Sequence, residues 1–179
     1  EKAWKRDAQR EGGVGHDVIY AQYQQWRAYK GLKTYTPGIT KPLTIVVDVD
    51  GTLAHMDGKR GPFDWAKVHL DTCDELVRAT VTGFRQQDYA IVIMSGRDGS
   101  CRELTEAWLG KYGIPYDRLI MRTAGDQRKD SIIKEELFWE HVAPNYNVRL
   151  VIDDRPQVVR MWHSLGLKVF NVGNAWKEF

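Results

Sequence analysis

The chain has 179 residues, of which 42% are hydrophobic, and this size is typical of one folded domain with its own core. No stretch approaches the roughly 20 consecutive apolar residues of a membrane-spanning helix, and the N-terminus does not resemble a secretory signal, which indicates a cytoplasmic protein without a membrane partner. The two cysteines are too few for a disulfide framework and lack zinc-finger spacing.

The charges are almost balanced, with 26 Lys and Arg against 24 Asp and Glu, so the whole chain lacks the strong basic field of many nucleic-acid-binding proteins. Residues 1–41 contain eight basic and four acidic residues, which leaves 18 basic and 20 acidic residues in the remainder. The excess of positive charge in residues 1–41 has two interpretations, a solvated polar face or an electrostatic contact to a polyanion.

Residues 1–42 are predicted to form a helical arm followed by a linker. A helix is expected from Val18 to about Tyr29, because apolar and aromatic residues recur there at helical spacing and Gly31 ends the pattern. Because the chain begins with Glu1 rather than methionine, we expect it to be a piece of a longer protein. The chain itself contains no P-loop, so we expect no kinase activity from it.

From Leu43 onwards, apolar runs with the length of buried strands alternate with helical stretches. This alternation predicts a parallel sheet with helices on both faces, a three-layer Rossmann-like α/β domain over residues 43–179. The predicted strands are Leu43–Val47, Tyr89–Met94, Arg118–Met121, Val148–Ile152 and Lys168–Val172. The predicted helices lie near His69–Phe84, Ser100–Tyr112, Asp130–His141 and Gln157–Leu165. A capping box of Ser100 and Glu103 is expected to start the second of these helices.

Polar side chains follow three of the predicted strands, where ligands of open parallel sheets bind. Four of them are carboxylates, which would repel each other at one edge of the sheet unless a cation neutralised them. An all-oxygen shell favours magnesium over zinc. The sequence therefore predicts a magnesium site and phosphoryl transfer through an aspartyl-phosphate intermediate. The four acids are Asp48, Asp50, Asp153 and Asp154.

The motif Asp48-x-Asp50-Gly51-Thr52 resembles the signature of the haloacid dehalogenase superfamily of phosphatases, and Ser95, Lys134 and the Asp153-Asp154 pair match its other motifs in order. The resemblance implies that Asp48 is the nucleophile and a metal ligand. Asp50 would be the general acid and base, with its backbone carbonyl on the metal. Lys134 would be catalytic by offsetting charge on the phosphate. Which of Asp153 and Asp154 touches the metal stays open, and the alternative is that these acids are only caps and turn residues.

A closer resemblance, from about Asp17 to Phe179, is to the 3′-phosphatase domain family of phage polynucleotide kinases. In that family a kinase domain precedes the phosphatase, so the resemblance implies that residues 1–42 are the end of a kinase domain. The resemblance is carried by stretches such as Gly61-Pro62, Gly125-Asp126, Phe138-Trp139 and Gln157-Val158-Val159. It implies that the substrate-binding residues are Thr52, Arg60, Ser95, Gly96, Arg97 and Asp130. In the flap, predicted as Thr52–Asp64, either Lys59 or Arg60 is available for this role. Asp130 has a second interpretation, as the N-cap of a helix.

Several residues near these motifs are expected to have only structural roles. Trp108, Trp139 and Trp162 fall in predicted helices, and we interpret them as core residues rather than platforms for stacking bases. His55, the only histidine near the first motif, is expected to be a flap residue without a catalytic role.

Together these features predict a magnesium-dependent polynucleotide 3′-phosphatase of nucleic acid end repair, with 3′-phosphorylated DNA or RNA ends as partners. The small flap favours a polymer end, because it is too short to form a lid over a small metabolite. The alternatives are a nucleotide or sugar phosphatase and a noncatalytic nucleic-acid-binding module. A phage-encoded chain would act in the cytoplasm of its bacterial host. DNA against RNA preference, action on cyclic phosphates and oligomeric state stay open.

Overall fold

The computed structural model describes residues 6–7, 9–31 and 33–173, which belong to two compact units. The first unit ends at Thr34 and the second begins with the next residue. In the first unit, helix α1 (His16–Tyr29) is the predicted arm helix with an earlier start. Among the described residues, none of the helices combines the length and the apolar character needed to cross a bilayer.

The linker residues 35–42 belong to the second unit, whereas the predicted boundary lay after residue 42. The reason is that Tyr35 is buried in that unit. Its hydroxyl donates to the carbonyl of Tyr146 at 2.7 Å and accepts from the N–H of Val148 at 2.9 Å. Its ring packs edge-on against Phe138, with 5.2 Å between the centroids.

The described part of the second unit, residues 35–173, contains seven strands, five of which form the main sheet. The strands are β1 (Leu43–Val47), β2 (Ala54–His55), β3 (Thr72–Cys73), β4 (Ala90–Asp98), β5 (Arg118–Arg122), β6 (Asn147–Asp153) and β7 (Val169–Asn171). The main sheet has the order β5-β4-β1-β6-β7, and all of its pairs are parallel. This confirms the predicted α/β fold and places the carboxyl end of β1 at the centre of one edge.

Four helices cover the two faces of this sheet. They are α2 (Glu75–Gln86), α3 (Arg102–Lys111), α4 (Asp130–Leu137) and α5 (Pro156–Ser164). Alternate residues of β1 enter two separate cores, since side chains along a strand point to opposite faces. Ile45 and Val47 join the core that contains Trp108, and Val46 joins the core that contains Phe138 and Trp162.

The region after β1 differs most from the prediction. A helix was predicted from His69, but residues 65–70 form a 3₁₀ turn and the chain then enters β3. Strand β3 pairs antiparallel with β2, so the flap is a small ribbon that extends to Cys73. Helix α2 begins only at Glu75, because the carboxylate of Asp74 accepts the N–H groups of Leu76 and Val77 as an N-cap.

The capping box predicted from Ser100 and Glu103 is wrong. The carboxylate of Asp98 accepts the N–H of Ser100 at 2.9 Å, and a short 3₁₀ turn precedes α3. Strand β4 is also longer than predicted and carries the polar residues 95–97 to the edge of the sheet. Asp98 therefore caps the 3₁₀ turn, and Cys101, the residue before α3, makes no side-chain cap bond.

Candidate active site

Asp48 lies directly after the central strand β1, where its backbone N–H donates to the carbonyl of Ile152 at 2.9 Å. Its side chain is buried, and Lys134 Nζ lies 2.8 Å from Asp48 Oδ1. The same ammonium group lies 3.0 Å from Asp153 Oδ2 and 3.6 Å from Asp130 Oδ2. One buried lysine thus faces three buried carboxylates, so this pocket has more negative than positive charge.

This imbalance shifts the protonation of the pocket. Burial raises the pKa of Asp48 well above its usual range, and the positive charge of Lys134 only partly counteracts this rise. For Lys134, burial acts to lower the pKa, but the carboxylates of Asp153, Asp48 and Asp130 outweigh it and raise the pKa well above its usual value. The lysine is therefore charged at neutral pH, and further positive charge beside Asp48 would favour the ionised form of this carboxyl group.

Three carboxylates form a group that fits a divalent cation. Oxygen atoms of Asp48, Asp153 and Asp154 all lie within 4.8 Å of one another. An all-oxygen set of this kind suits magnesium, and the excess of negative charge gives a cation a favourable position. Gly51 has a φ of +83°, and a Cβ at this position would clash with the Asp154 carboxylate. The glycine therefore lets Asp154 approach the loop that carries Asp48.

We call Asp48, Asp153 and Asp154 the metal-facing group. The side chain of Asp50 does not belong to this group and has different partners. Its Oδ1 accepts from Arg60 Nη2 at 2.7 Å and from Arg97 Nη2 at 2.9 Å, and its Oδ2 accepts from Arg97 Nε at 2.9 Å. The carboxylate is 30% exposed, whereas both arginine side chains are 0% exposed. The predicted acid and base is thus held by two buried cations with one side open.

Asp71, which the sequence reasoning missed, completes this network. Its carboxylate accepts from Arg60 Nε at 2.7 Å, from Arg60 Nη2 at 2.8 Å and from Arg97 Nη2 at 2.6 Å. Its backbone carbonyl accepts from the indole N–H of Trp108 at 2.9 Å. Two arginines thus hold two aspartates, and we name Asp50, Arg60, Asp71 and Arg97 the arginine network.

In the arginine network, Arg60 and Arg97 bind carboxylates, whereas the sequence predicted that these two residues bind the substrate. A guanidinium group that is 0% exposed and bonded to carboxylates leaves no accessible face for a substrate phosphate. Of the two flap residues between which the sequence left the choice open, Lys59 is exposed and Arg60 is buried. In this structure both arginines hold Asp50, and the substrate-binding role of Arg60 and Arg97 stays a prediction.

The remaining predicted residues contact groups of the site that have already been described. Ser95 is buried, and its Oγ accepts from the N–H of Arg97 at 3.2 Å. Thr52 is also buried, and its hydroxyl donates to Asp154 Oδ1 at 3.4 Å. A Cβ on Gly96 would clash with the carboxylate of Asp130, so the glycine permits this close approach.

Asp130 is the first residue of α4, and its side chain is directed at cations rather than at the helix N–H groups. It accepts from Arg122 Nη2 at 3.1 Å and lies 3.5 Å from Arg155 Nη1. Burial acts to raise its pKa, but Lys134, Arg155 and Arg122 outweigh this effect and lower the pKa. The alternative role of Asp130 as an N-cap is therefore not observed. Its ionised carboxylate is instead a partner of Lys134.

Comparison with solved structures defines the class of protein. The class C acid phosphatase from Bacillus anthracis matches with a TM-score of 0.58 over 88% of this chain and 75% of that chain. At 16% identity, this likeness shows the fold alone. This chain therefore shares the fold of that acid phosphatase.

The family is shown by a closer match. The model of the polynucleotide kinase PNKP phosphatase domain matches residues 42–175, and the chain belongs to this family. It is therefore a phosphatase, a hydrolase of phosphomonoesters. A protein of Autographa californica nuclear polyhedrosis virus that is named as a bifunctional polynucleotide kinase/RNA ligase is 34% identical over 174 residues, which is 91% of this chain and 24% of that protein.

Two solved structures of Pnkp1/Rnl/Hen1 complexes contain similar chains. One has a TM-score of 0.75 and 40% identity over 79% of this chain and 50% of that chain. The other, an RNA repair complex, has a TM-score of 0.77 and 39% identity over 82% of this chain and 49% of that chain. The chain thus spans about half the length of these structural relatives and about a quarter of the viral one.

Proposed function

We propose that this chain is a magnesium-dependent phosphatase that removes the 3′-phosphate from a nucleic acid end through a phosphoaspartate on Asp48. The observation that carries this proposal is the separation of the two aspartates. Asp48 lies with Lys134 and the metal-facing carboxylates, while Asp50 is held apart by two arginines. This separation supports a role for Asp48 in attack on phosphorus and a role for Asp50 in proton exchange with the leaving oxygen.

The chemistry has two steps. Asp48 attacks the phosphorus, the bond to the 3′ oxygen breaks, and Asp50 gives that oxygen a proton. Asp50 then takes a proton from water, whose oxygen attacks the phosphoaspartate and releases inorganic phosphate together with the free Asp48 carboxylate. A bound magnesium ion would supply positive charge to the phosphate oxygens, and Lys134 would offset the charge that builds up during both steps.

The rim of the site supports a polymer substrate. Lys59 is exposed on the flap, and Arg155 is 36% exposed beside Asp130. Cations in these positions can bind the phosphates of neighbouring nucleotides, which a single nucleotide does not offer. The exposed Phe63 of the flap, at 81%, adds an aromatic surface of the kind on which bases stack. The names of the viral and RNA repair relatives agree with this substrate class.

The substrate assignment is tested by comparing a 3′-phosphorylated oligonucleotide with a nucleoside 3′-monophosphate. We expect a higher kcat/KM for the oligonucleotide and a decline of that value with added salt, because counterions are released when the strand binds. A preference for the mononucleotide, without a salt effect, would contradict a nucleic acid substrate and leave the phosphatase class intact.

Magnesium dependence is tested by chelation. EDTA is expected to abolish phosphate release, and added magnesium is expected to restore it, since Asp48, Asp153 and Asp154 repel one another without a cation. An unchanged rate in EDTA would show that the reaction does not use a metal at this site.

A further inference from the structure

The side chain of Trp162 makes a polar contact to the metal-facing group. Trp162 lies on α5 and is 1% exposed, and its indole N–H donates to Asp153 Oδ2 at 3.1 Å. Its ring packs edge-on against Phe138, with 5.5 Å between the centroids. The ring therefore has a fixed orientation, and its only N–H is directed at a carboxylate rather than at solvent.

Asp153 receives a donor at each of its carboxylate oxygens. Oδ2 accepts the indole N–H and lies 3.0 Å from Lys134 Nζ, and Oδ1 accepts the backbone N–H of Arg155 at 3.2 Å. The lysine is shared with Asp48, so its position depends on more than one carboxylate. The indole is the uncharged side-chain donor in this set, and the packed core holds it in place independently of the charged groups.

We propose that Trp162 is a positioning residue for the metal site, which sets the rotation of the Asp153 carboxylate and thereby raises the affinity for magnesium. This inference rests on the magnesium site of the proposed function. Donors that orient the ligands of a metal are as much a part of the site as the ligands themselves, because a carboxylate that rotates freely must be ordered when the cation binds. Trp162 thus combines a core position with a role in the site.

Trp108 provides a matched control. It is also 1% exposed, it lies in the core on the other face of the sheet, and its indole N–H also has a partner. That partner is the backbone carbonyl of Asp71, not a carboxylate of the metal-facing group. Substitution of either tryptophan by Phe removes one ring and one N–H, but only Trp162→Phe removes a donor to Asp153.

The test is a calorimetric titration of the full chain with magnesium chloride, without substrate. We expect Trp162→Phe to raise the Kd for magnesium about 10-fold, the low end of the effect of such donors, and Trp108→Phe to leave it unchanged. Melting temperatures without magnesium measure the loss of packing in both variants. Equal magnesium affinity in the wild type and Trp162→Phe overturns the inference, and a wild type that binds no magnesium overturns the proposed metal as well.

If Trp162→Phe does not fold, the donor can be removed without changing the shape of the side chain. Replacement of Trp162 by 3-benzothienylalanine puts sulfur in place of the indole N–H and keeps the two fused rings. The Kd for magnesium is again expected to rise about 10-fold. A wild-type affinity in this variant would show that Trp162 fills the core without acting on the metal site.

Discussion

At the scale of single residues, Asp48 and Asp50 are two positions apart but belong to different electrostatic environments. Asp48 faces a buried lysine in a pocket with excess negative charge, and burial raises its pKa. Asp50 faces two arginines that a second aspartate, Asp71, also holds. Such a separation of two neighbouring carboxylates gives each one a distinct task in catalysis.

The nucleophile is tested by Asp48→Asn. We expect phosphate release to fall below a few per cent of the wild-type rate, roughly a hundredfold loss, because the amide cannot form a phosphoaspartate. The chain should keep its fold, since the amide occupies the same volume and a buried negative charge is removed. The measurement is a phosphate-release assay with a parallel melting curve. Substantial activity in a folded variant would rule out Asp48 as the nucleophile.

The flap offers two adjacent cations with different surroundings, and separate substitutions distinguish their roles. Lys59→Ala is expected to weaken turnover of a 3′-phosphate oligonucleotide, to spare a small aryl phosphate, and to reduce the slope of log affinity against log salt by about 1. Arg60→Ala is expected to impair both substrates, because the arginine network loses a buried cation and Asp50 loses a partner.

Arg60→Ala should also cost about 3–5 kcal/mol of stability, the range for breaking a buried ion pair. Thermal melting of both variants provides this check, with Lys59→Ala as the exposed control. A loss confined to the oligonucleotide in Arg60→Ala would contradict the positioning role and restore the substrate-binding role that the sequence suggested.

The grouping of Asp48, Asp153 and Asp154 could be predicted from the sequence because each stands at the end of an apolar strand. Asp71 could not, because it follows a short 3₁₀ turn and has no motif of its own. Its arginine partners lie 11 and 26 positions away in the chain. Only the folded chain brings these side chains together, and a local sequence motif does not contain residues that are so far apart in the chain.

At the scale of elements, the buried strands were predictable and the flap was not. Strands such as β1 are continuous apolar runs, which a central parallel strand requires. Strands β2 and β3 have two residues each and carry no periodic signal. The predicted start of α2 at His69 was wrong, because the N-cap Asp74, rather than the apolar periodicity, determines where this helix begins.

The cap gives a prediction for the stability of this element. Asp74→Ala should lower the free energy of unfolding by about 1 kcal/mol at pH 7, since the carboxylate holds two N–H groups of α2. Burial acts to raise the pKa of Asp74, but these N–H groups and His55 outweigh it, and the pKa is lowered. The difference between the wild type and the variant should therefore shrink as the pH falls through the lowered pKa.

Denaturant unfolding between neutral and strongly acidic pH measures this difference. The matched control is Asp57→Ala, which removes an exposed flap carboxylate that accepts no N–H group of α2. A difference for Asp74→Ala that stays constant with pH would show that the carboxylate contributes through packing rather than through its charge.

At the scale of the whole molecule, the second unit is a packed sheet whose central edge concentrates charge. The two cores on either face are apolar, and each contributes one tryptophan that donates to a residue at this edge. The indole donors to Asp71 and Asp153 thus belong to the packed cores on the two faces of the sheet. Such support restricts the motion of the catalytic groups, which is what pre-organisation requires.

The boundary of this unit provides the final prediction. Tyr35 lies outside the predicted domain, but it is 7% exposed and bonds to Tyr146 and Val148. Tyr35→Ala in the full chain is expected to lower the stability of the second unit by about 3–5 kcal/mol, the range for truncating a large buried side chain. Ile39→Ala is the control, because Ile39 is 91% exposed in the same linker.

Tyr35→Phe separates the two contributions of this side chain, since it keeps the contact to Phe138 and removes the hydroxyl. Leaving the carbonyl of Tyr146 and the N–H of Val148 without this partner should cost about 1–3 kcal/mol. Denaturant unfolding of the three variants gives the order Ile39→Ala, Tyr35→Phe and Tyr35→Ala from most to least stable. If Tyr35→Ala instead unfolds like the wild type, the linker contributes nothing to the second unit and the domain begins near Leu43, as its first apolar run predicted.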